Sequence, residues 1–228
     1  MRAFQLVLAA VALAVTTPTG AAKLPANWDG LVQVKAKKLA AAYLLPHADF
    51  RAYSKVMLDP AQVAFQKNWA RDYNQSTMTL GGRVTDRDVQ KAIADAQTGL
   101  DKIFAETFAK QGFQLATAAG SDVARVTFAV IDLEVTAPDV GVGRTYNFSV
   151  DAGEATFVIE VRDSVTNQLL GRAIDRRAAG DTGPVYRTSV SNRDDFKQLF
   201  QTWANIAAKG LTELRASSPI DTDGLRKQ

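Results

Sequence analysis

The sequence predicts an α+β domain in which two amphipathic helices pack on one face of a mixed or mainly antiparallel sheet of about six strands. Two long segments repeat apolar residues at three- and four-residue intervals, which is the periodicity of an amphipathic helix. Several shorter segments alternate apolar and polar residues, as half-buried strands do. Because each helix has one apolar stripe, both stripes are most simply buried on the same sheet face.

The first 22 residues of the 228-residue chain have the pattern of a cleavable secretory signal. Arg2 supplies a positive start, residues 4–15 form an apolar core, and Ala21 and Ala22 provide small residues for a signal peptidase. The apolar core is shorter than the roughly 20 residues that a membrane-spanning helix needs. We therefore favour cleavage near Ala22 over an uncleaved anchor, and expect a periplasmic or secreted protein.

The composition argues against several classes of protein. The chain has no cysteine, so we expect neither disulfides nor a lipid anchor at the mature N-terminus. His47 is the only histidine; a zinc site is therefore not expected, although His47 could in principle serve as a base. The formal net charge of +3 is too small to predict nucleic-acid or membrane binding. No transmembrane segment is expected in the mature chain, which we divide into one domain over 23–216 and a disordered tail over 217–228.

The first half of the mature chain combines short strands, a loop and a helix. Strand-like stretches occupy residues 31–58, and a further strand is predicted at 63–65. Residues 66–84 are the least regular part and are predicted to form a surface loop. A long helix follows, because Thr85 and Asp88 resemble a capping box. Its apolar stripe consists of Val89, Ile93, Ala96, Leu100, Ile103, Phe104 and Phe108.

The second half is predicted to form most of the sheet and the last helix. Strands are expected at 113–117, 124–137, 146–150, 153–163 and 169–178. The strand over 124–137 has apolar residues on both faces, which is typical of a central strand. The last helix is predicted to begin near Ser191 or Asn192, with Asp194 and Asp195 in its first turn.

The last two of these strands form a hairpin whose register the sequence leaves open. A three-residue loop at 165–167 would place Glu160 opposite Arg172. A four-residue loop would instead place Ile159 opposite Arg172. The side-chain period of a strand is two residues, so the two registers exclude each other.

The hairpin and the predicted loop carry the candidate binding residues. The hairpin is rich in charge, which suits either an anionic ligand or partner surface or a solvated face with cross-strand ion pairs. Arg172 and Arg176 share one strand face and Arg177 points to the other. In the loop, Trp69 and Tyr73 could stack on a ligand or plug the edge of the core. The candidate binding residues are Arg172, Arg176, Glu160, Trp69 and Tyr73.

Three carboxylates are the candidates for acid–base chemistry. Asp132 and Glu134 are two residues apart on a predicted strand and so share a face, and Glu160 lies on the hairpin. Paired carboxylates can catalyse glycoside hydrolysis, but they also mark the place where a strand emerges into solvent. We therefore assign no catalytic residue, no metal ligand and no cofactor.

Several segments resemble a known family. They are Trp28–Leu31, 42–50, 53–65 and the hairpin segment 161–171. The chain is similar over about residues 28–214 to the family named domain of unknown function 3313, found in Gram-negative envelope proteins. Members are often described as lipoproteins, whereas this chain has no cysteine near the cleavage site. The resemblance implies an envelope location and supplies no catalytic residues.

The sequence does not name a molecular activity. The first hypothesis is a non-catalytic envelope protein that binds a protein or cell-wall partner through the charged hairpin or the loop over 66–84. The second is a carboxylate-dependent hydrolase of envelope glycans, acting through Asp132, Glu134 and Glu160. The third is a binding site for a small anionic ligand at Arg172 and Arg176.

Overall fold

A computed structural model describes most of the chain after the predicted signal. The described residues are 25–76, 82–136, 138, 147–149, 151–180 and 185–225. The predicted signal peptide lies outside them.

The described residues form eleven strands and four helices. In chain order these are β1 (Asn27–Trp28), β2 (Leu31–Val34), β3 (Ala41–Leu44), β4 (Lys55–Leu58), β5 (Gln62–Phe65), α1 (Trp69–Ser76), α2 (Asp86–Lys110), β6 (Gln114–Leu115), β7 (Val123–Leu133), β8 (Asn147–Ser149), β9 (Gly153–Asp163), β10 (Leu169–Ala179), β11 (Val185–Arg187), α3 (Ser189–Ser217) and α4 (Thr222–Leu225).

Nine of these strands form one mixed sheet in the order β1-β2-β3-β10-β9-β7-β4-β6, with β5 also paired to β7. Pairing is antiparallel from β1 to β7, whereas β4 and β5 run parallel to β7, and β6 runs parallel to β4. The α+β class is confirmed. The expected strand number of about six was wrong; the two-residue strand β1, for example, is too short to show alternation.

Both long helices contact the same face of this sheet, as predicted. The Phe104 ring of α2 stacks on Phe128 of β7, with ring centroids 4.0 Å apart. The Trp203 ring of α3 stacks on Phe157 of β9 at 5.2 Å. These rings form the centre of the main core, so β7 and β9 are central strands of the sheet.

The predicted start agrees with the structure for α2 but not for α3. The predicted capping box of α2 is confirmed, because Asp88 accepts from the Thr85 N–H at 2.9 Å and Thr85 accepts from the Asp88 N–H. The helix α3 begins two residues or more before the predicted start, with Thr188 as its cap. Its first turn includes exposed Val190 and lies before the apolar stripe, so periodicity does not reveal it.

The end of β7 changes its alternation at Asp132. This residue has a φ of 49°, which is a left-handed conformation inside a strand. Val130 and Leu133 consequently both belong to the main core, although they are three residues apart. Regular alternation therefore does not hold at Asp132, and it cannot be used to place Asp132 and Glu134 on the same face of the sheet.

Residues 218–225 pack against the domain, although the sequence predicts a disordered tail over 217–228. Ile220 is 1% exposed. It accepts a hydrogen bond from the His47 N–H at 3.0 Å and donates one to the Ala48 carbonyl at 2.9 Å. The Leu225 carbonyl accepts from the Lys35 N–H at 2.7 Å. The C-terminal segment thus closes the end of the sheet near β2 and β3.

We predict that Gly153→Ala destabilises the protein by roughly 3 kcal/mol. Gly153 has a φ of 134°, and a Cβ atom there would lie 1.9 Å from the Glu134 carbonyl oxygen. Urea unfolding would measure the change. The control is Gly99→Ala, because Gly99 lies inside α2 with no atom within 4 Å of an added Cβ. That variant should gain roughly 0.5–1 kcal/mol, and equal stability of the two variants would contradict the prediction.

Candidate functional site

The predicted binding residues of the hairpin lie on the sheet face opposite the long helices. In the antiparallel pair β9–β10, Arg172 lies opposite Glu160, and Ile159 lies opposite Ala173. Glu160 thus lies opposite Arg172, as in the first of the two possible registers, but this register does not continue to the turn, because Leu169 lies opposite Arg162 and the register shifts between Leu169 and Gly171. Because Phe157 faces the helices, the side chain of Glu160, three residues later, points to the opposite face.

Glu160 holds two arginines at the centre of this face. Arg172 donates to Oε1 through Nε at 2.8 Å, and its Nη2 lies 2.6 Å from the same oxygen. Arg162 donates to Oε2 through Nη2 at 2.8 Å and Nε at 3.1 Å. The side chains of Glu160 and Arg172 are only 4% and 9% exposed. Both carboxylate oxygens are thus engaged by guanidinium groups, which fixes the register of the hairpin.

The β1–β2 turn covers Arg172 from outside. The guanidinium carbon lies 4.3 Å from the centre of the Trp28 ring, and Nη1 donates to Asp29 at 2.8 Å. Asp29 and Gly30 have φ values of 52° and 81°, as a two-residue hairpin turn requires. We name Trp28, Asp29, Tyr43, Glu160, Arg162 and Arg172 the Arg172 cluster.

Tyr43 completes this cluster on β3. Its ring is fully buried and meets the Trp28 ring edge-on at a centroid distance of 5.7 Å. Burial raises the pKa of Tyr43, although the positive charge of Arg172 opposes the shift. The cluster joins the opening segment around Trp28 to the hairpin, so two of the segments on which the family resemblance is based meet here.

The remaining arginines of the hairpin also have internal partners. Arg176 binds Glu154 through two hydrogen bonds of 2.8 and 2.9 Å, and its side chain is 53% exposed. Arg177 points to the other face, as predicted, and binds Asp175. The third hypothesis required free arginines at 172 and 176. Internal pairing of both, with Arg172 buried, argues against a small-anion site built from these two residues.

Asp175 lies on the helix-facing side of β10 and is 5% exposed. It accepts hydrogen bonds from the Trp203 indole N–H at 2.9 Å and from the Ala40 N–H at 3.1 Å. Together with its contact to Arg177, these bonds connect α3, the segment before β3 and β10. Asp175 is therefore a structural carboxylate.

The three candidate catalytic carboxylates do not converge. The Glu134 N–H donates to the Glu154 carbonyl, and Glu154 precedes Glu160 by six residues on β9. At about 3.3 Å per residue, this places Glu160 about 20 Å from the end of the sheet that holds Glu134. Glycosidase carboxylates lie about 5–9.5 Å apart. The hydrolase hypothesis based on Asp132, Glu134 and Glu160 was therefore wrong in its geometry.

Glu134 has an environment of its own. Burial raises the pKa of its carboxyl group, and the nearby carboxylate of Glu154 raises it further, while Arg176 opposes the shift. Because Arg176 binds Glu154 directly, Glu154 has a lowered pKa. The two carboxyl groups thus share one arginine at the end of the sheet.

Trp69 and Tyr73 belong to helix α1, which replaces part of the predicted loop. Trp69 is 8% exposed and stacks on Phe65 at a centroid distance of 4.4 Å. Tyr73 lies against Trp69 at 5.9 Å. Asn74 exchanges two hydrogen bonds with the backbone of Val84 and so ties α1 to the segment before α2. Trp69 consequently seals a small core rather than presenting its ring to a ligand.

A polar contact joins the hairpin turn to the segment before β4, and the sequence alone does not predict it. The Tyr53 hydroxyl donates to Asp163 at 2.8 Å. Asp163 also accepts from the Thr166 N–H at 2.7 Å and the Val165 N–H at 3.0 Å. Burial alone would raise the pKa of Asp163, but these donors, with the Thr166 hydroxyl, lower it below its usual value. Sequence spacing does not reveal the contact of Tyr53 with Asp163, because the two residues are 110 positions apart.

In the part of the chain that the structure describes, no group of three or more histidine, cysteine or acidic side chains could hold a metal ion. None of its helices is both long enough and apolar enough to cross a bilayer.

We predict that Glu160→Gln lowers the free energy of unfolding by roughly 3–5 kcal/mol, because it removes the buried negative charge that Arg172 and Arg162 share and leaves Arg172 with the exposed carboxylate of Asp29. Replacing Glu160 and Arg172 together by leucine and methionine should cost less than this single change. The control is Glu154→Gln in the exposed pair with Arg176, which should cost about 1 kcal/mol or less. Equal losses for Glu160→Gln and Glu154→Gln in urea unfolding would contradict the assignment.

We also predict that Asp163 contributes to acid sensitivity. Its folded pKa lies below the unfolded value, so its stabilisation is present above the unfolded pKa and is lost as pH falls through the folded pKa. Asp163→Asn should therefore reduce the fall in unfolding free energy between about pH 5 and pH 2. Tyr53→Phe removes one donor and should produce a smaller change of the same sign. Superimposable pH profiles for the wild type and Asp163→Asn would exclude this contribution.

Comparison with known structures finds proteins of low sequence identity. A PelC dodecamer from Paraburkholderia phytofirmans is 14% identical, with a TM-score of 0.37, over 76% of this chain and 96% of that chain. A Xanthomonas campestris protein of family DUF330 is 11% identical, with a TM-score of 0.39, over 77% and 91%. A minor lipoprotein from Acinetobacter baumannii is 10% identical, with a TM-score of 0.24, over 77% and 98%.

No curated protein matches this chain in sequence. The family model described as "Protein of unknown function (DUF3313)" matches residues 21–207, which include the whole Arg172 cluster. The resemblance noted in the opening segments and the hairpin is thereby confirmed, and the chain belongs to the DUF3313 family.

Proposed function

We propose that this chain is an exported protein of the Gram-negative cell envelope, processed near Ala22, that acts as a non-catalytic binding or assembly module. Its partner would be an envelope protein or a cell-wall component. The N-terminal pattern of Arg2, an apolar core and Ala21-Ala22 supports export.

The observation that carries the non-catalytic part of the proposal is the internal pairing of the charged side chains. Glu160 is occupied by two guanidinium groups, and Glu134 is far from it along the sheet. Glu160, one of the groups considered for acid–base chemistry, instead holds neighbouring strands together through Arg172. Fixed charges of this kind favour specificity and orientation in an encounter with a macromolecule.

The structure divides the candidate binding residues by accessibility. Arg176 and Glu154 are about half exposed and form a fixed pair on the sheet face, so a partner could reach them. Arg172 and Glu160 lie beneath the β1–β2 turn and position that face. Trp69 packs inside with Tyr73 against it. We therefore propose Arg176 as the residue of this set that contacts a partner.

The test is affinity capture from a periplasmic extract at about 0.15 M ionic strength, using the full chain as bait. We expect an envelope component to be retained by the wild type and lost from a variant that combines Arg176→Glu with Glu154→Arg. This exchange preserves the ion pair, so an unchanged melting temperature would show that the fold persists. Retention of nothing by the wild type, or release of sugar from envelope glycans by the purified chain, would overturn the proposal.

A further inference from the structure

A shallow depression lies where α2 meets the ends of β4 and β6. Its volume is ≈ 270 Å³. Its lining consists of two carboxylates, Asp59 and Asp101, and the apolar residues Leu58, Pro60, Ala105, Leu115 and Ala116. Pockets for drug-sized ligands usually measure about 300–1,000 Å³. The depression is therefore better suited to a single apolar side chain than to a small molecule.

The depression adjoins a free edge of the sheet. In the described part of the chain, β6 pairs with β4 alone. The Gln114 N–H donates to the carbonyl of Ser54, just before β4, at 3.4 Å, and the Ala116 N–H donates to Val56 of β4 at 2.8 Å. Because hydrogen-bonding direction alternates along a strand, the N–H and C=O of the intervening Leu115 point away from the sheet. Leu115 is also 49% exposed, so an unpaired backbone edge and an accessible apolar side chain occur together.

The charge of the lining indicates which partner would fit. Asp59 is neutralised by Arg125, whose Nε lies 2.8 Å from it. Asp101 accepts a hydrogen bond from the Ala61 N–H at 2.7 Å but takes part in none of the ion pairs that the described residues form. The lining thus carries a net negative charge at Asp101. A second copy that presented the same edge would bring two such carboxylates together, which disfavours self-pairing.

We propose that this edge binds an extended segment of a partner protein, in which an apolar side chain enters the depression and a neighbouring lysine or arginine faces Asp101. The segment adds a short strand beside β6 and pairs with the outward N–H and C=O of Leu115. Main-chain pairing supplies affinity in this mode of recognition, and the depression supplies selectivity. The inference rests on the proposed binding function and specifies a surface and a partner chemistry for it.

The first experiment uses a short capped peptide of alternating lysine and valine as the probe and the ¹⁵N-labelled full chain as the receptor. We expect amide shifts centred on Leu115, Ala116 and Ala105, and slower hydrogen exchange at the Leu115 N–H. A peptide of alternating glutamate and valine should produce at most weak shifts, because it opposes the charge of Asp101. Absence of shifts at β6 with the lysine peptide would overturn the proposal.

Two substitutions separate the contributions of backbone and charge. Leu115→Pro removes the outward N–H together with the leucine side chain that lines the depression, and leaves the N–H groups of Gln114 and Ala116 in place, so affinity for the lysine peptide should fall at least about tenfold. Asp101→Asn keeps an acceptor for the Ala61 N–H but removes the charge. Affinity should then fall about threefold and depend less on salt.

A matched pair of variants serves as a control if Leu115→Pro disturbs the fold. Leu115→Lys places a positive charge beside Asp101, which repels the lysine peptide, and should abolish peptide binding. Val165→Lys makes the same kind of change at a residue that is 63% exposed in the hairpin turn, and should leave binding unchanged. Equal binding by these two variants would overturn the edge proposal. If the periplasmic capture still succeeds in that case, the proposed function stands without this surface.

Discussion

The buried carboxylate of Asp175 is the contact on which the two layers of the domain depend. It receives the indole N–H of Trp203 from α3 and the N–H of Ala40 from the segment before β3, and it also binds Arg177 on its own strand. A charged group at 5% exposure is tolerable only when several donors surround it. Asp175 is thus a buried polar contact on the helix-facing side of the sheet, and it specifies where α3 and the segment before β3 meet β10.

The opposite face is organised by a second set of charges. Glu160 joins Arg162 and Arg172, and Asp29 and Trp28 cover Arg172 from the β1–β2 turn. A buried ion pair is weak evidence for stability, because desolvation offsets much of the attraction. Its clearer consequence is register, since shifting β10 by one residue would turn Arg172 away from Glu160 and toward the helices. The charges of the hairpin thus align its strands, and this role accounts for them without any binding partner.

Much of the fold could be predicted from local patterns, and the parts that could not share a physical cause. The stripes around Phe104 and Trp203 predict helices because many equivalent positions repeat. The β1 strand contains two residues, which is too few for any period. Helix α1 is short, and its role depends on the contact of Trp69 with Phe65 rather than on a repeating stripe.

In the candidate site, too, local patterns predicted some features, whereas contacts between distant residues could not be predicted. The sequence identified Arg172 and Arg176 as neighbours on one strand face, since alternation determines faces, but it left open whether Glu160 lies opposite Arg172. It could not show that Asp29 and Trp28 cover Arg172, because that contact joins residues more than 140 positions apart. The separation of the carboxylates Asp132, Glu134 and Glu160 could not be predicted from local patterns either. The left-handed conformation of Asp132 and the distance along β9 depend on the assembled sheet.

The packing of residues 218–225 against the β2–β3 region has a consequence for biogenesis. Ile220 exchanges backbone hydrogen bonds with His47 and Ala48, so the segment after β3 obtains these partners from residues about 170 positions later. Folding of the region around β2 and β3 therefore cannot be completed before residues 218–225 have been synthesised. Until that stage, the His47 N–H and the Ala48 carbonyl of the emerging polypeptide lack these partners.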